Sequence, residues 1–399
     1  MATPVFACGF ECGGGHLTTV GTTSYSTTTV RSGLRSGRIN PSAYIGKFSN
    51  SAVTGAAVRV GRVYVYFATL PNALVHIFGF GTGGNGDFGV YFKSTDNSLY
   101  TGNGTTFSSS GISVTTGQWY LLEYREDNTD NLLDARVNDV AIPQLSIAIA
   151  SNPSGITCGW GFGNATADLF FDDLLVSSTS ADYPLGAGYV LSYIPNADGT
   201  HTTNGANDVE RTLTGTDIVI ATTTAYQLVD DRPLESVETD FINIKVAITD
   251  YVEIAYEDSV EPVAPRSVEA IVGYHDAGGA GTHNFVVTLR DNTGGTTADI
   301  MAAATRNVGA TMSFGRAHFT TIPGGGAWTL GAFNALRSRI NASDASPDVY
   351  IDGLMLEAEY APLSSNPNSL GEPGLHAIGR GAVAAHNPAV RLGGWLEYH

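Results

Sequence analysis

Apolar and polar residues alternate with a period of two through much of the chain, which is the pattern of strands with one buried face. In the first half this pattern runs through "GRVYVYF", "ALVHIFGF", "DFGVYFK" and "GQWYLLEYRED". Clusters of Gly, Asn, Asp, Ser and Thr such as "GTGGNGD", "STDNS" and "DNTDN" separate these segments and favour tight turns. Strands at roughly ten-residue spacing predict an antiparallel jelly-roll-like sandwich over residues 1–180.

The pattern stops and then resumes. Residues 181–233 are rich in Gly, Asn, Asp and Pro around one short apolar strand, which indicates an ordered connector. From 234 to 361 alternation returns in segments such as "DFINIKVAI", "SVEAIVGYH" and "DVYIDGLMLEAEY", and these predict a second β-sandwich. One segment, "WTLGAFNALRSRI", has helical spacing and predicts a helix of one or two turns. The predicted fold class is therefore all-β, with two antiparallel sandwiches.

Residues 362–399 lack alternation and contain Pro and Gly throughout. A segment of this kind is either disordered or extended along a partner. Its apolar content, which includes Val383, favours docking on a partner, and the predicted docking residues are Leu375, Ile378, Val390, Leu392 and Trp395.

Charge and composition restrict the classes of partner. The formal net charge is −18, the acidic residues are scattered, and the only lysines are Lys47, Lys93 and Lys245. Nucleic-acid binding requires clustered Lys and Arg, so it is not expected. The densest basic run contains Arg31, Arg35 and Arg38, interpreted as a solvated strand edge with an anion site as the alternative. No stretch is apolar for long enough to span a membrane, and the N-terminus lacks the features of a signal peptide.

Three cysteines, Cys8, Cys12 and Cys158, are too few and too odd in number for a secreted disulfide framework. They lack the further ligands of a zinc site, so reduced structural thiols are expected, with a Cys8–Cys12 or interchain bridge as the alternative.

One closing strand occurs twice in the sequence. "DLFFDDLLV" at 168–176 aligns without a gap with "DVYIDGLMLE" at 348–357, so that Asp172 matches Asp352. Strand alternation predicts that Asp172 and Asp173 point to opposite faces and do not act together on one substrate atom. Asp172 is interpreted as a structural hydrogen-bond anchor and Asp173 as an ordinary polar position. The alternative is calcium, with Asp168 and Asp172 as candidate ligands and Asn164 and Asp173 nearby.

Two family resemblances follow from longer motifs. The strands "QWYLLEYRED", "LDARVNDVAI" and "LFFDDLLVSS" resemble those of the concanavalin A-like or laminin-G-like jelly roll. That fold supports glycan binding, glycoside cleavage and purely structural roles.

The second resemblance spans nearly the whole chain. "FACGFECG", "FFDDLLVSSTSADYPLGAGYVLSYIPNADG", "AYQLVDDRPLESVETDFI" and "VYIDGLMLEAEY" together resemble structural proteins of tailed bacteriophages. The resemblance implies a virion component such as a fibre, decoration or collar protein. It further implies assembly in the host bacterial cytoplasm, homo-oligomerisation and docking on capsid or tail proteins.

Catalytic motifs are missing from the sequence. Glu123, Glu126 and Asp127 do not have the spacing of the paired carboxylates in glycosidases of this fold, and no G-x-S-x-G, Walker A or H-E-x-x-H motif occurs. The sequence therefore predicts neither an enzyme nor a cofactor. His76 is interpreted as a sheet residue.

The alternative function is recognition of a host surface glycan by exposed aromatic residues. The candidates for such a platform are Trp119, Tyr91, Tyr100, Tyr120 and Trp160, although both tryptophans lie in apolar strand contexts typical of core residues.

Overall fold

The computed structural model of the chain describes residues 4–13, 17–39, 47–53, 55–81, 87–149, 155–161, 166–199, 209–212, 217–218, 225–230, 240–244, 251–276, 281–291, 296–308, 312–342 and 349–362. These residues form antiparallel strands almost throughout, which confirms the predicted all-β fold class. The docking residues predicted between 375 and 395 lie outside the described residues, as does Asn164.

Fifteen described strands lie between residues 4 and 177. They are β1 (Pro4–Cys8), β2 (Thr18–Val20), β3 (Thr23–Ser26), β4 (Ser36–Ile39), β5 (Lys47–Asn50), β6 (Val58–Thr69), β7 (Val75–Phe80), β8 (Phe88–Lys93), β9 (Ser98–Gly102), β10 (Ile112–Ser113), β11 (Trp119–Asp127), β12 (Leu132–Val137), β13 (Val140–Ser146), β14 (Ile156–Gly161) and β15 (Asp168–Ser177).

These strands form two sheets that pack face to face. Sheet A has the order β13-β12-β11-β6-β15-β4-β3, with β1 also paired to β15, and sheet B has the order β10-β9-β8-β7-β14-β5-β2. Alternate residues of both sheets meet in one core that includes Val63, Phe67, Phe78, Phe92 and Leu122. The period of two in the sequence therefore places alternate side chains of a strand, such as Val63, Val65 and Phe67 of β6, in this core.

Twelve described strands lie between residues 189 and 360. They are β16 (Tyr189–Tyr193), β17 (Pro195–Asp198), β18 (Val209–Thr212), β19 (Asp217–Ile218), β20 (Asp240–Ile244), β21 (Tyr251–Tyr256), β22 (Ser267–Asp276), β23 (Gly281–Arg290), β24 (Thr297–Val308), β25 (Ser313–Phe319), β26 (Arg337–Ala342) and β27 (Val349–Tyr360).

The second group of strands forms another pair of sheets around a second core. Sheet C has the order β19-β18-β20-β27-β22-β25, with β16 also paired to β27, and sheet D has the order β17-β21-β26-β23-β24. The core between them includes Tyr193, Val252, Leu289, Phe333 and Leu356. Strands β16 to β19 come from the segment predicted as a connector, so the described part of that segment contributes four strands to sheets C and D.

Helical structure in the described residues is short. One α-helix, α1, covers Leu330–Asn334, and 3₁₀ turns cover Ser180–Asp182 and Ala225–Leu228. Thr329 caps α1 by accepting a hydrogen bond from the Ala332 N–H at 3.0 Å. The predicted helix is correct for its first half but wrong for its second, because residues 337–342 form strand β26 between β21 and β23. No helix in the described part of the chain has the length and apolarity to cross a membrane.

The two repeated closing strands occupy equivalent places. β15 lies inside sheet A and β27 lies inside sheet C. One edge of β15 is shared between β4 and β1, and one edge of β27 is shared between β20 and β16. The pairing register shifts at Asp172 in β15 and between Ile351 and Gly353 in β27. The sequence repeat therefore corresponds to a repeated strand with a β-bulge at the matching aspartate.

Candidate functional site

The bulge in β15 changes the direction of one of the two adjacent carboxylates. Asp173 has φ of 54°, a left-handed conformation, and the register shifts between Asp172 and Leu175. Both side chains then contact the same segment, Arg31–Ser32. The prediction that Asp172 and Asp173 point to opposite faces is therefore wrong, because an inserted residue breaks the period of two.

Asp172 is a hydrogen-bond anchor, as the sequence suggested. Its Oδ2 accepts from the backbone N–H groups of Arg31 at 2.9 Å and Ser32 at 3.3 Å, and its Oδ1 accepts from the Asp173 N–H at 2.9 Å. The side chain is fully buried, and desolvation followed by the neighbouring Asp173 charge raises the pKa of Asp172 well above its usual range.

Asp173 has a larger structural role than an ordinary polar position. It forms an ion pair with Arg31, and its Oδ1 accepts the N–H of Val190 at 2.6 Å. Arg31 also donates to the Gly188 carbonyl at 3.0 Å and lies 3.3 Å from the centroid of the Tyr64 ring. The interpretation of the Arg31 region as a solvated edge is therefore wrong for Arg31, whose side chain is 5% exposed. Together, Asp173 and Arg31 fasten the chain that leaves the first sandwich to the surface of sheet A.

The matching aspartate of the second sandwich also has a buried hydrogen-bonding partner. Asp352 Oδ2 lies 2.7 Å from His275 Nδ1, and both side chains are buried. The repeated carboxylate therefore stabilises its bulge in both sandwiches, with different partners supplied by the neighbouring chain segments.

The calcium candidates have protein partners in the described structure. Asp168 accepts two hydrogen bonds of 2.9 Å from Arg38, and the oxygens of Asp172 accept backbone N–H groups. Within the ranges described, no group of three or more His, Cys, Asp or Glu side chains is placed to hold a metal ion.

A second buried charged group joins the two sandwiches. Arg62 of β6 lies 3.2 Å from Glu359 of β27, and Arg266 binds the same carboxylate through its Nε at 2.8 Å. Arg62 also donates to the Gly186 carbonyl at 3.0 Å, while the Gly186 N–H donates to Glu123 at 2.6 Å. Arg62 and Glu359 have side chains 0% and 1% exposed, so this ion pair is removed from water.

The turn after β1 continues this interface. The Gly9 N–H donates to Glu357 at 3.2 Å, and Cys12 packs against Ile271 and Met355 of sheet C. Glu357 is fully buried, and desolvation together with the nearby charges of Glu11 and Glu269 raises its pKa well above the usual range.

The cysteines are free and buried, which agrees with the prediction of reduced structural thiols. Burial raises the pKa of the Cys8 thiol to about 11, so Cys8 remains protonated and unreactive near neutral pH.

A third polar group lies in the core of the first sandwich. Arg59 and Glu126 form an ion pair of 2.6 Å with both side chains 0% exposed. Burial raises the pKa of Glu126 to about 8, although the Arg59 charge opposes this shift. The Tyr124 hydroxyl is buried and has no hydrogen-bond partner among the described residues. The group resembles a catalytic set in composition, but none of its side chains reaches solvent.

The outer face of sheet B carries a different kind of site. Lys93 Nζ lies 4.1 Å from the ring centroid of Tyr100 and 3.9 Å from that of Phe107. The two rings have centroids 6.3 Å apart, and Tyr91 packs beside Phe107 at 5.6 Å. We call Tyr91, Lys93, Tyr100 and Phe107 the lysine–aromatic patch. Lys93, Tyr100 and Phe107 are partly exposed, whereas Tyr91 is buried.

His76 lies beneath this patch. Its ring centroid is 5.0 Å from that of Tyr91, and the side chain is fully buried. Within the described part of the chain, neither ring nitrogen has a partner of full hydrogen-bond geometry, and desolvation lowers the pKa of His76 to about 4. His76 is therefore a sheet residue, as predicted, and it stays neutral at physiological pH.

The remaining glycan candidates are divided between the two sheets. Trp160 is on sheet B beneath Lys47, whose Nζ lies 5.2 Å from the ring centroid. Trp119 is on sheet A beside Tyr66, and Tyr120 packs in the core against Phe67. The structure brings Tyr91 and Tyr100 together and separates them from Trp119.

Sequence reasoning missed four contributors to these sites: Lys93, Phe107, Arg62 and Glu359. Phe107 lies in the turn-rich segment "GNGTTFSSS", where no strand alternation marks it, and Arg62 lies in β6, which is mostly apolar and contains a second arginine, Arg59. The Arg62–Glu359 pair joins residues 297 positions apart, and no local pattern indicates such a pair.

Comparisons with known proteins concern the sandwich architecture. No protein-family model matches the chain, and no curated protein matches it either. Among solved structures, the chain is similar to the cellulose induced protein Cip1, with 17% identity, a TM-score of 0.36 and coverage of 44% of this chain and 97% of that chain. It is also similar to Trypanosoma rangeli sialidase, with 14% identity, a TM-score of 0.30 and coverage of 36% of this chain and 25% of that chain.

Proposed function

We propose that this protein is a non-enzymatic structural component of a bacteriophage virion, of the fibre, decoration or collar type. The sequence resemblance to phage structural proteins supplies the class. The observation that supports a structural role is the buried interface between the sandwiches, where Arg62, Glu359 and Glu357 are removed from water. An interface of this kind suits a part that keeps one shape within a larger assembly, because separating the sandwiches exposes unpaired groups.

The positions of the buried carboxylates support the non-enzymatic part of the proposal. Asp172, Asp173 and Glu126 are each 0% exposed and contact backbone N–H groups or arginines. Hydrolysis of a glycan requires carboxylates that reach the substrate from a cleft. In this chain they stabilise strands instead.

The proposal is tested by quantitative mass spectrometry of purified phage particles from the strain that encodes the chain. We expect the protein at a fixed number of copies per particle, in the hundreds for a decoration protein or a handful for a neck or fibre protein. Recovery of the protein only in the unassembled fraction of the lysate would overturn the proposal.

The predicted docking segment has a separate test. A chain that ends at residue 361 retains every strand that the described residues form, so we expect it to remain folded and soluble. If residues 362–399 dock on capsid or tail partners, the truncated chain fails to enter particles. Normal incorporation would contradict the docking role without affecting the virion proposal.

A second function, carbohydrate binding, is favoured by the lysine–aromatic patch. Aromatic rings pack against the apolar face of a sugar ring, and the patch presents Tyr100 and Phe107 on the outer face of sheet B. A glycan array probed with the full chain, with and without a chelator, tests this function. Silence in both conditions removes it.

A further inference from the structure

We infer that the lysine–aromatic patch binds a carboxylate-bearing sugar, with Lys93 holding the carboxylate and Tyr100 and Phe107 contacting the sugar ring. This inference rests on the proposed carbohydrate-binding function and names its ligand class. Three observations carry it: the charge of Lys93 is available, its ammonium is fixed in place, and the sheet beneath it is shaped for the two rings.

The first observation is that Lys93 has no carboxylate partner among the described residues, although the chain has 38 acidic residues against 20 Lys and Arg. Arg38 provides the contrast on the other sheet of the same sandwich. It lies 5.2 Å from the Phe170 ring, but Asp168 neutralises it through two hydrogen bonds of 2.9 Å. Lys93 thus keeps a positive charge that a ligand can use.

The second observation is that the Lys93 ammonium is held over two rings at once, at 4.1 Å and 3.9 Å from their centroids. Cation–π contacts of this kind restrict a side chain that is otherwise flexible. A fixed ammonium loses less conformational entropy on binding an anion, so it binds that anion more tightly. The nearby Asp96 carboxylate accepts a hydrogen bond from the Tyr100 hydroxyl, which also fixes that ring.

The third observation is that glycines make room for both rings on the sheet. A Cβ at Gly102 would lie 2.5 Å from the Phe107 ring, and a Cβ at Gly111 would lie 2.6 Å from the Tyr100 ring. No side chain fits between these rings and the backbone. Tyr91, buried between His76 and Phe107, supports the patch from the side. The result is a preformed surface of aromatic carbon next to one cation.

The chemistry of this surface selects a uronic acid over a neutral sugar. The rings contact the C–H groups of a pyranose, and the ammonium donates charge-assisted hydrogen bonds to a carboxylate. The overall charge of −18 repels polyanions at long range, so nonspecific electrostatic attraction does not account for binding of an acidic polymer to this chain.

The test compares two forms of one polymer. The full chain is titrated with oligogalacturonate and with its carboxyl-reduced counterpart, in which each carboxylate is a CH₂OH group. We expect binding of the acidic form, a loss of about tenfold or more in Lys93→Met, corresponding to one charge-assisted hydrogen bond, and retention in Lys93→Arg. Tyr100→Ala should weaken both forms. Arg38→Met, which removes a cation above a ring on sheet A, is the matched control and should bind normally.

The outcomes separate this inference from the function on which it rests. Equal binding of the acidic and reduced forms would overturn the assignment of a carboxylate ligand while leaving carbohydrate binding intact. Binding of neither form, together with silence on the glycan array, would remove both. Unchanged binding by Lys93→Met would show that the acidic polymer binds elsewhere and would overturn the site.

Discussion

The Asp173 carboxylate neutralises Arg31 at a place where water reaches neither group, since their side chains are 0% and 5% exposed. Asp168, five positions earlier on the same strand, pairs with Arg38 at a site where the side chains are 14% and 34% exposed. The same pair of residue types therefore occurs in two environments on β15. Removing a partner from a buried pair leaves an uncompensated charge, whereas solvent compensates at an exposed pair.

We predict that Asp173→Asn lowers the free energy of unfolding by about 3–5 kcal/mol, because Arg31 is left buried without a counter-charge. Asp168→Asn is the matched control and should cost about 1 kcal/mol or less. Urea unfolding followed by tryptophan fluorescence measures both. Equal effects of the two substitutions would contradict the role assigned to Asp173.

His76 gives a prediction about pH. Burial lowers its pKa from 6.5 to about 4, so the folded chain stays neutral at His76 while the unfolded chain binds a proton. Its contribution to stability is therefore complete above pH 6.5 and is lost as the pH falls towards 4, by on the order of 3 kcal/mol in total. In His76→Gln this loss should be absent.

Urea unfolding at several pH values from 5 to 7 measures the free energy of unfolding of the parent chain and of His76→Gln. The difference between the two proteins gives the contribution of His76 to the pH dependence, because both contain the same carboxylates. Parallel pH curves for the two proteins would show that His76 does not couple folding to protonation.

At the scale of elements, the segment between β15 and β16 passes at Gly188 very close to the side chains of the Arg62–Glu359 ion pair. A Cβ at Gly188 would lie 2.5 Å from Arg62 Nη1 and 2.7 Å from both Arg266 Nη2 and Glu359 Oε1. These side chains are bonded to one another, so they have little freedom to move away. We predict that Gly188→Ala lowers the free energy of unfolding by about 1–3 kcal/mol through overpacking.

Gly331→Ala is the control for this substitution. Gly331 is exposed in α1, a Cβ there would meet no atom within 4 Å apart from its chain neighbours and the backbone of its own helix, and alanine favours a helix. Thermal unfolding measures both variants, and the control should be neutral or stabilising. A Gly188→Ala protein as stable as the control would contradict the close packing of the connector.

The sequence allowed prediction of elements far better than of their contacts. Alternation in segments such as "GRVYVYF" located strands, because a half-buried strand must alternate whatever its partner is. It failed at Asp173, where a bulge inserts one residue, and at 337–342, where β-sheet neighbours override helical spacing. The lysine–aromatic patch could not be predicted from the sequence either, because tertiary structure brings Phe107 to it from a turn that has no periodic pattern.

At the scale of the whole molecule, the two sandwiches should unfold together, because their interface buries charged groups from both. Arg62 of the first sandwich is 0% exposed and bonded to Glu359 of the second. Separating the sandwiches would break the Arg62–Glu359 ion pair and expose both side chains to water. The attraction between the two charges is strongest while the pair is excluded from water, so the pair links the stability of one sandwich to that of the other.

We predict that Glu359→Gln, which leaves Arg62 and Arg266 without their shared counter-charge, destabilises the chain by about 3–5 kcal/mol and separates one calorimetric transition into two. Glu357→Gln is the matched comparison two positions away. Desolvation by burial raises the pKa of Glu357 well above its usual range, so burial favours the uncharged acid, which Gln resembles in shape and hydrogen-bonding capacity. Its stability contribution is complete below about pH 4.5 and is lost as the pH rises through the folded pKa.

Glu357→Gln should therefore leave a single calorimetric transition. As the pH increases from 7 to 9, the stability of this variant should approach or exceed that of the parent chain. Differential scanning calorimetry at both pH values distinguishes the two variants. A single transition in Glu359→Gln would show that the Arg62 pair does not couple the sandwiches. Strong destabilisation by Glu357→Gln at pH 7 would show that Glu357 is ionised in the folded protein, and its hydrogen bond from Gly9 would then be the charged contact that holds the turn after β1.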